Sequence, residues 1–359
     1  MSPDESATPA DRSLLTASCP LPITDYKEIV LAHGSGGKLS HQLISKIIAP
    51  QFANELLAPM HDGAIFSLGN ERVAFSTDSY VVSPIFFPGG DIGKLAVHGT
   101  VNDLAMCGAR PLYLSCGFIL EEGIPMEDFW RIVQSMRAAA DEAGVKLVTG
   151  DTKVVDRGKA DKIFINTAGI GLVPEGVNIQ PNRAQIGDKV LISGPIAVHG
   201  IAIMSVREGL EFETEIASDT AALHGLVEEI LRACQDVHVL RDPTRGGVTS
   251  AVTEIAQSAG VGVELEEAAI PIREDVKGAC EILGLDPLYV ANEGKLIAVV
   301  PPAAAEEVLA AMRLHSLGKE SAIIGEVVPD HPGFVTMRTR VGGRRVVDML
   351  SGEQLPRIC

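Results

Sequence analysis

Five aspartates of the sequence stand beside small or polar residues, at the expected ends of strands or helices. They lie in the segments His61-Asp62-Gly63, Thr77-Asp78-Ser79, Asn102-Asp103-Leu104, Gly150-Asp151-Thr152 and Asp242-Pro243-Thr244. A single aspartate in such a place is more often a turn former or a helix cap than a ligand. Because proteins hold Mg²⁺ with one or two carboxylates together with nucleotide phosphates, five such segments favour a metal–nucleotide site.

Two glycine-rich segments, His33 to Lys38 and Asp242 to Gly247, each place a glycine pair just before an expected helix. Glycines let backbone N–H groups approach a phosphate closely, and a helix N-terminus adds a favourable electrostatic field. Both segments are therefore candidates for polyphosphate binding. Neither is a Walker A loop, and the nearest match, Gly89 to Lys94, is one residue too short and lacks the following Ser or Thr.

A cysteine, Cys359, is the last residue, and it follows a segment in which Gly352 and Pro356 make a regular element improbable. About ten residues of extended chain carry a sulfur over about 30 Å, which is enough to leave one protein's active site and enter another's. For a lone terminal cysteine chance is the better explanation, and a tethered sulfur that carries a chemical group is the alternative. The sequence has no Cys-x-x-Cys pair, which predicts a reducing cytoplasm and neither a zinc cluster nor a disulfide framework.

Composition limits the class of protein. A chain of 359 residues is long for one hydrophobic core, so two domains are expected. A net charge of −17 opposes binding to nucleic acid or to an anionic membrane surface, and with 4% aromatic residues stacking platforms for bases are scarce. No apolar run approaches the roughly 18 residues of a membrane span. We therefore predict a soluble protein with neither a nucleic-acid nor a membrane partner.

The elements that must position the aspartates and glycines follow from hydrophobic periodicity and turn residues. Residues 1–22 are rich in Ser, Pro, Ala and Asp and predict a disordered extension. In the first half the pattern predicts an amphipathic stretch over 39–48, strands at 64–68, 73–77, 112–120, 145–149 and 163–173, and helices at 92–107 and 126–143. In the second half it predicts strands at 189–193, 237–240, 261–265, 296–300, 322–328 and 344–347, and helices at 197–208, 218–233, 247–259, 275–283 and 303–314.

Strands and helices do not alternate with the regular period of a doubly wound sheet, so an α+β fold with helices on one sheet face is expected. The turn-rich segment 174–187 marks the domain boundary. The predicted parts are an extension (1–22), an N-terminal domain for ATP binding and dimerisation (23–180), a C-terminal α+β domain (181–347) and a mobile tail (348–359).

With these residues assembled, the chain resembles the HypE family of hydrogenase-maturation proteins, within the superfamily of aminoimidazole ribonucleotide synthetase (PurM). Six segments carry the resemblance: His33 to Lys38, Asn102 to Ala109, Gly150 to Val155, Asp242 to Gly247, Ala291 to Lys295 and Pro356 to Cys359. They cover the chain in order from about residue 25 to the end. The terminal Cys359 is the most specific of them, and the N-terminal extension is the departure.

The resemblance implies a two-domain PurM-like fold that forms a homodimer through its N-terminal domains and binds ATP in a cleft. It also implies a reaction that uses Mg²⁺ and ATP. The carbamoyltransferase HypF loads a carbamoyl group onto Cys359, and the enzyme dehydrates this S-carboxamide to an S-cyanide. The cyano group then passes to iron held by a HypC–HypD complex, as a cyanide ligand of [NiFe]-hydrogenase.

The resemblance also implies roles for individual residues. In catalysis Cys359 carries the substrate, Glu293 is the base, and Lys153 polarises the carboxamide or the transferring phosphate. The expected metal ligands are Asp62, Asp103, Asp151 and Asp242. The expected nucleotide contacts are Gly34, Gly36, Gly37, Lys38, Asp78, Asn102, Thr152, Thr244, Gly246 and Gly247.

Two alternatives stay open from the sequence. One is an ATP-dependent enzyme of the same superfamily that acts on a free small molecule. A selenophosphate synthetase would carry a reactive Cys or selenocysteine in its glycine-rich segment, whereas residues 34–37 contain no thiol. The other is a non-catalytic carrier that only presents Cys359 to its partners. It predicts no ATP hydrolysis and no effect of Asp151→Asn.

Overall fold

The computed structural model describes residues 22–23, 25–210, 215–352, 355 and 357–359. The predicted extension, apart from residue 22, lies outside the described residues. The strands are β1 (Ala64–Leu68), β2 (Glu71–Tyr80), β3 (Phe86–Phe87), β4 (Gly90–Asp91), β5 (Arg110–Glu121), β6 (Lys146–Val155), β7 (Ile163–Leu172), β8 (Lys189–Ile192), β9 (Val239–Arg241), β10 (Gly262–Glu266), β11 (Ile297–Val300), β12 (Ala322–Val328), β13 (Val335–Arg338) and β14 (Arg344–Val347). The α-helices are α1 (Lys38–Gln42), α2 (Ile92–Met106), α3 (Met126–Glu142), α4 (Val198–Arg207), α5 (His224–Ala233), α6 (Gly247–Ala259), α7 (Glu274–Leu283) and α8 (Ala305–Leu314).

Strands of the first half form a five-stranded sheet in the order β1-β2-β7-β5-β6, parallel between β5 and β6 and antiparallel elsewhere. Helices α2 and α3 cover one face of it. The side chain of Asp91 begins α2 by accepting hydrogen bonds from the backbone N–H groups of Gly93 and Lys94, at 2.7 and 3.1 Å. Nearly every residue of α2 is buried, because the helix lies between this sheet and the second half of the chain.

On the other face of this sheet, apolar side chains are partly exposed. Phe75, Ile170 and Tyr113 are direct neighbours across β2, β7 and β5, and each is about two-fifths exposed. Exposed apolar patches of this kind usually mark a contact surface.

Strands of the second half form a seven-stranded sheet in the order β14-β13-β10-β12-β8-β11-β9, parallel only between β10 and β13. Alternation along the strands sends Leu191 and Ala298 towards α5 and α8, and Val190 and Val299 towards α6 and α7. Helices therefore cover both faces. The predicted α+β fold with mixed sheets is confirmed. The predicted packing of helices on one sheet face holds for the first sheet, whereas the second sheet has helices on both faces.

The two sheets divide between residues 172 and 189, and the exact domain limits stay a prediction. One hydrophobic cluster runs from the first sheet through α2 to α5 and α8, and it includes Ile358 and Cys359. The end of the tail is thus part of the core. Among the described residues, no helix combines the length and hydrophobicity that crossing a bilayer requires.

Most predicted elements are present, and three differences concern the limits or the number of elements. Strand β6 runs through Gly150, Asp151 and Thr152 instead of ending at 149, because these residues pair in parallel with β5. A Cβ at Gly150 would lie 2.3 Å from the carbonyl oxygen of Cys116. The glycine is therefore needed because β5 and β6 approach closely there, and not because the chain turns. Helix α5 begins at His224 instead of 218, and the short strand β13 exists through its pairing with β10.

Candidate functional site

A cleft of about 440 Å³ lies between the two halves of the chain, and most of the polar residues that line it belong to the segments predicted from the sequence. Its lining includes Asp62, Asp78, Asp103, Asp242, Thr244, Glu293 and Cys359, together with Gly34, Gly36 and Gly247. A larger cavity of about 680 Å³ lies against Arg110 and His224 and contains none of the predicted site residues. We therefore assign the site to the smaller cleft.

Three carboxylates meet at the cleft, from the loop before β1 (Asp62), the last turn of α2 (Asp103) and the end of β9 (Asp242). Carboxylate oxygens of the three lie within 4.8 Å of one another. The hydroxyl of Ser76 lies 2.7 Å from Asp103 Oδ2, and Arg241 Nη1 lies 2.9 Å from Asp62 Oδ1. Residues remote in sequence thus converge on one point.

Burial and mutual repulsion set the protonation of this cluster. Burial, reinforced by Asp242, raises the pKa of Asp103 well above its usual range, and burial beside Asp62 raises the pKa of Asp242 to about 8. Burial also opposes ionisation of Asp62, but Arg241 and the adjacent His61 together outweigh it, so the pKa of Asp62 is lowered. Asp62 Oδ2 is buried and accepts no hydrogen bond from the described residues. A cluster of this kind fits a hard divalent cation, which would take the place of the protons.

The two glycine-rich segments pack against each other at the wall of the cleft. Ser250 Oγ donates a hydrogen bond to the carbonyl oxygen of Gly36 at 2.9 Å. Gly36 has a φ of 74° and Gly246 a φ of 77°, a region that favours glycine. A Cβ at Gly36 would lie 2.6 Å from the side chain of Arg245, so the contact requires its absence.

Gly37 and Lys38 contact the base of the tail. The backbone N–H of Lys38 donates to the carbonyl oxygen of Leu350 at 2.9 Å, and Lys38 Nζ lies 2.6 Å from Asp348 Oδ2. A Cβ at Gly37 would lie 2.4 Å from the same carbonyl oxygen. Both residues therefore join the N-terminal segment to the tail, and their predicted nucleotide contacts stay predictions.

Cys359 lies inside the cleft, only 4% exposed. Arg245 Nε donates a hydrogen bond to its sulfur at 3.0 Å, and Arg245 Nη2 lies 3.7 Å from Asp78 Oδ1. Burial raises the pKa of the thiol to about 12 although Arg245 opposes the shift. The sulfur is therefore a protonated thiol where it lies. Sequence reasoning missed Arg245, although it stands inside the predicted segment Asp242 to Gly247.

Glu293 faces the same space and is 3% exposed. Its Oε1 is buried and has no hydrogen-bond partner among the described residues. Burial, reinforced by Asp242 and Asp78, raises the pKa of Glu293 well above its usual range. A raised pKa strengthens a carboxylate as a proton acceptor, which is what a general base requires.

Asn102 positions the loop that carries Glu293. Its Nδ2 donates to the carbonyl oxygens of Ala221 and Glu293 at 3.0 and 3.3 Å, and its Oδ1 accepts from the backbone N–H of Leu223 at 2.8 Å. The amide is therefore engaged on both sides. A nucleotide contact, as predicted, would have to replace one of these bonds.

Asp151, Thr152 and Lys153 lie outside the cleft, on the exposed edge strand β6. Lys153 Nζ lies 2.6 Å from Asp151 Oδ2, and this hydrogen bond lowers the pKa of Asp151. Across the sheet the order is Ser79, Asn166, Gly117 and Asp151, which is three strand spacings or about 14 Å. One chain alone does not bring these residues to the other aspartates, and their catalytic and metal-binding roles stay predictions.

The pKa of Asp242 predicts how the stability of the metal-free protein depends on pH. Between its ordinary value of 3.8 and the folded value of about 8, the folded chain binds more protons than the unfolded chain. The stabilisation that the folded state gains from keeping this proton on Asp242 is complete below about pH 4, falls as the pH rises, and is lost above about pH 8. We expect urea midpoints in EDTA to fall between about pH 5.5 and pH 8, and Asp242→Asn to flatten that fall. The exposed control Asp141→Asn should keep the wild-type slope, and equal slopes in all three proteins would contradict the assignment.

Comparison with known proteins agrees with this geometry. The N-terminal and C-terminal domain models of AIR synthase related proteins match residues 60–173 and 185–338. The chain is 58% identical over 331 residues to the carbamoyl dehydratase HypE of Azotobacter vinelandii, which covers 92% of this chain and 97% of that protein. One chain of a solved HypE–HypF complex superposes on this chain with a TM-score of 0.82 at 51% sequence identity, and the match covers 86% of this chain and 99% of that chain. HypE in complex with ATP gives 0.78 at 51% identity, with 92% and 100% covered. The chain therefore belongs to the HypE family of carbamoyl dehydratases, within the AIR synthase related proteins.

Proposed function

We propose that this chain dehydrates a carbamoyl group on its own Cys359 to a cyano group, with ATP as the source of energy. One observation carries the proposal. One cleft holds the sulfur of Cys359, the carboxyl of Glu293 and the acidic cluster of Asp62, Asp103 and Asp242. The Oε1 atom of that carboxyl has no hydrogen-bond partner among the described residues. The thiol is the attachment point, the carboxyl is the base, and the cluster is suited to a metal–nucleotide complex.

Asp62, Asp103 and Asp242 would hold Mg²⁺. When bound, Mg²⁺ neutralises charge on the phosphates of the nucleotide. Gly34, Gly36, Thr244 and Gly247 line the same cleft, where glycines leave room for the phosphates and Thr244 offers a hydroxyl. The backbone N–H groups of Gly36 and Gly247 donate to Ser40 Oγ and to the carbonyl oxygen of Thr244, both at 2.9 Å. Asp78 pairs with Arg245, so it holds the guanidinium beside the sulfur. ATP binding is supported by the similar HypE that has been solved with ATP.

The reaction follows from leaving-group chemistry. Water leaves an amide carbon poorly and phosphate leaves well, so the carboxamide oxygen attacks the γ-phosphorus and ADP departs. Glu293 then accepts one N–H proton, which leaves the neutral O-phosphorylated imidate, and loss of the second N–H proton with cleavage of the C–O bond expels phosphate and leaves the S-cyanide. Asp242 contributes to the raised pKa of Glu293, so a cation bound in the cluster would offset this effect and favour the ionised, basic form of Glu293. The closed cleft keeps water from the activated carbon.

Cys359 must leave the cleft for the other two steps. A thiol that is buried and protonated neither meets a donor protein nor reacts as a thiolate. We propose HypF as the carbamoyl donor, in line with the solved HypE–HypF complex, and a HypC–HypD complex as the cyanide acceptor. A reduced Cys359 is needed throughout, which fits the cytoplasm.

We also propose a homodimer in which β6 completes the partner's cleft. Asp151 lies about 14 Å across the sheet from Ser79, the neighbour of Asp78, and Asp151, Thr152 and Lys153 do not line the cleft of their own chain. They stand at the edge of a sheet whose open face carries Phe75, Ile170 and Tyr113. Pairing two such sheets would bury these side chains and bring each Lys153 towards a second chain.

The proposal predicts one mass change. Protein carbamoylated at Cys359 should lose one water upon addition of Mg·ATP, in step with ADP release, as measured by intact-mass spectrometry. Glu293→Gln should bind ATP but lose water about 10²- to 10⁴-fold more slowly, the usual contribution of a positioned base. Glu229→Gln, an exposed control on α5, should behave as wild type. A stable adduct in wild-type protein with nucleotide bound would exclude the reaction and favour a carrier role.

Mixed dimers test the shared site. Lys153→Ala and Glu293→Gln should each be nearly inactive alone. After the two variants are mixed and exchanged, a heterodimer has one cleft with an intact Glu293 and an intact Lys153 from its partner. Activity should therefore return towards a quarter of that of wild type per chain, since about half of the dimers are mixed and each has one active cleft of two. If Lys153 acts within its own chain, no activity returns.

A further inference from the structure

We propose that His199 and Arg207, both on helix α4, are positioning residues that hold the tail in the cleft through its main-chain carbonyls. This inference rests on the proposed function, because it concerns how Cys359 is kept beside Glu293. Neither histidine nor arginine touches the reacting group.

The tail enters as an added strand. Beyond the end of β2, the backbone N–H of Val81 donates to the terminal carboxyl group of Cys359 at 3.2 Å, and the N–H of Ser83 donates to the carbonyl oxygen of Arg357 at 3.2 Å. The order 81–359 and 83–357 is antiparallel and uses alternate residues, as in a sheet. The carbonyl of Ile358 therefore points to the other side, where a different donor is required.

His199 supplies that donor. Its Nε2 lies 2.8 Å from the carbonyl oxygen of Ile358, and its Nδ1 lies 2.7 Å from Ser218 Oγ. A carbonyl oxygen only accepts, so Nε2 carries the proton and Nδ1 accepts from the serine hydroxyl. The N–H of Thr220 donates to the same hydroxyl oxygen at 3.1 Å, and Phe87 packs edge-on against the imidazole. The ring is fully buried, so its orientation and tautomer are set by fixed neighbours.

Arg207 joins both strands of this short ladder. Its Nε donates to the carbonyl oxygen of Ser83 at 2.5 Å, and its Nη2 donates to the carbonyl oxygen of Arg357. One guanidinium thus spans the receiving segment and the tail, with charged donors that form stronger bonds than neutral ones. The side chain of Arg357 in turn pairs with Asp161 near the start of β7.

The same helix also makes room for the tail. A Cβ at Gly200 would lie 3.3 Å from Leu355 Cδ1, so the glycine next to His199 forms the surface on which Leu355 rests. Three positions of α4 therefore contact three tail residues: His199 with Ile358, Gly200 with Leu355, and Arg207 with Arg357.

The hydrogen bonds from His199 and Arg207 are made to main-chain carbonyl oxygens of the tail and not to the sulfur. Carbamoylation changes only the group on Sγ, which faces Arg245, and leaves the carbonyls of residues 357 and 358 as they were. The two positioning residues would accordingly hold a loaded tail as well as an empty one. They set the fraction of time for which the sulfur is inside for dehydration or outside for loading and delivery.

Alkylation of Cys359 measures this fraction without ATP. Full-length protein is treated with iodoacetamide, and modification is followed by mass spectrometry of the Gln354–Cys359 peptide after cleavage at Glu353. Loss of one neutral hydrogen bond in His199→Ala should raise the alkylation rate about 5-fold, and loss of charged donors in Arg207→Ala about 10-fold or more. His199→Gln, which keeps an N–H donor near the Nε2 position, should return the rate towards that of wild type.

Arg183→Ala is the matched control, since Arg183 also donates to main-chain carbonyls, those of Asn178 and Val237, but away from the tail. It should leave the alkylation of Cys359 unchanged. If His199→Ala does not fold, Asp161→Asn provides a second test, because it removes the ion-pair partner of Arg357. The alkylation rate of Cys359 should then rise about 2-fold. Wild-type alkylation rates in folded His199→Ala and Arg207→Ala would overturn the inference and leave the dehydration reaction untouched. Absence of dehydration in wild-type protein would instead defeat the proposed function.

Discussion

Negative charge buried in one cleft is the constraint on which the rest of the structure depends. Arg241 balances Asp62, and Arg245 stands beside Asp78. Burial and neighbouring carboxylates raise the pKa values of Asp103, Asp242 and Glu293, although Arg241 opposes the shift at Asp242 and Arg245 opposes it at Glu293. The repulsion makes the cluster suited to a divalent cation, and it raises the pKa of Glu293, which strengthens this carboxylate as a proton acceptor. In the proposed mechanism, metal binding and base catalysis thus have one electrostatic origin.

In the proposed reaction the substrate is carried by Cys359, a residue of the same chain. Ile358 and Cys359 belong to the hydrophobic cluster that joins both halves of the chain, so the sulfur is delivered to a defined place instead of diffusing to it. Tethering replaces a bimolecular encounter with an intramolecular one, which is a large advantage where the reactive group is unstable in water. The same burial protects the thiol and requires the tail to move before a partner protein can reach it.

Much of the site could be predicted from the sequence, because its signals are local. Helix α6 follows Gly246 with the predicted limits, and Asp62, Asp103 and Asp242 stand in short segments whose composition already favours a metal–nucleotide site. Other features depend on contacts between distant segments. Gly150 to Thr152 looks like a turn and is a strand because β5 pairs with it. The contacts of Arg245 with Cys359 and of His199 with Ile358 join residues more than a hundred positions apart, so a local sequence pattern does not predict them.

Activation of the carboxamide oxygen by phosphorylation is the central chemical step, and it is open to a direct isotope measurement. Protein carrying a carbamoyl group labelled with ¹⁸O on Cys359 would be given Mg·ATP in unlabelled water, and the released phosphate would be analysed by mass spectrometry. A phosphorylated carboxamide predicts one ¹⁸O atom in each phosphate, because the C–O bond breaks while the P–O bond made by the attack stays. Unlabelled phosphate, with the ¹⁸O lost to water, would contradict it.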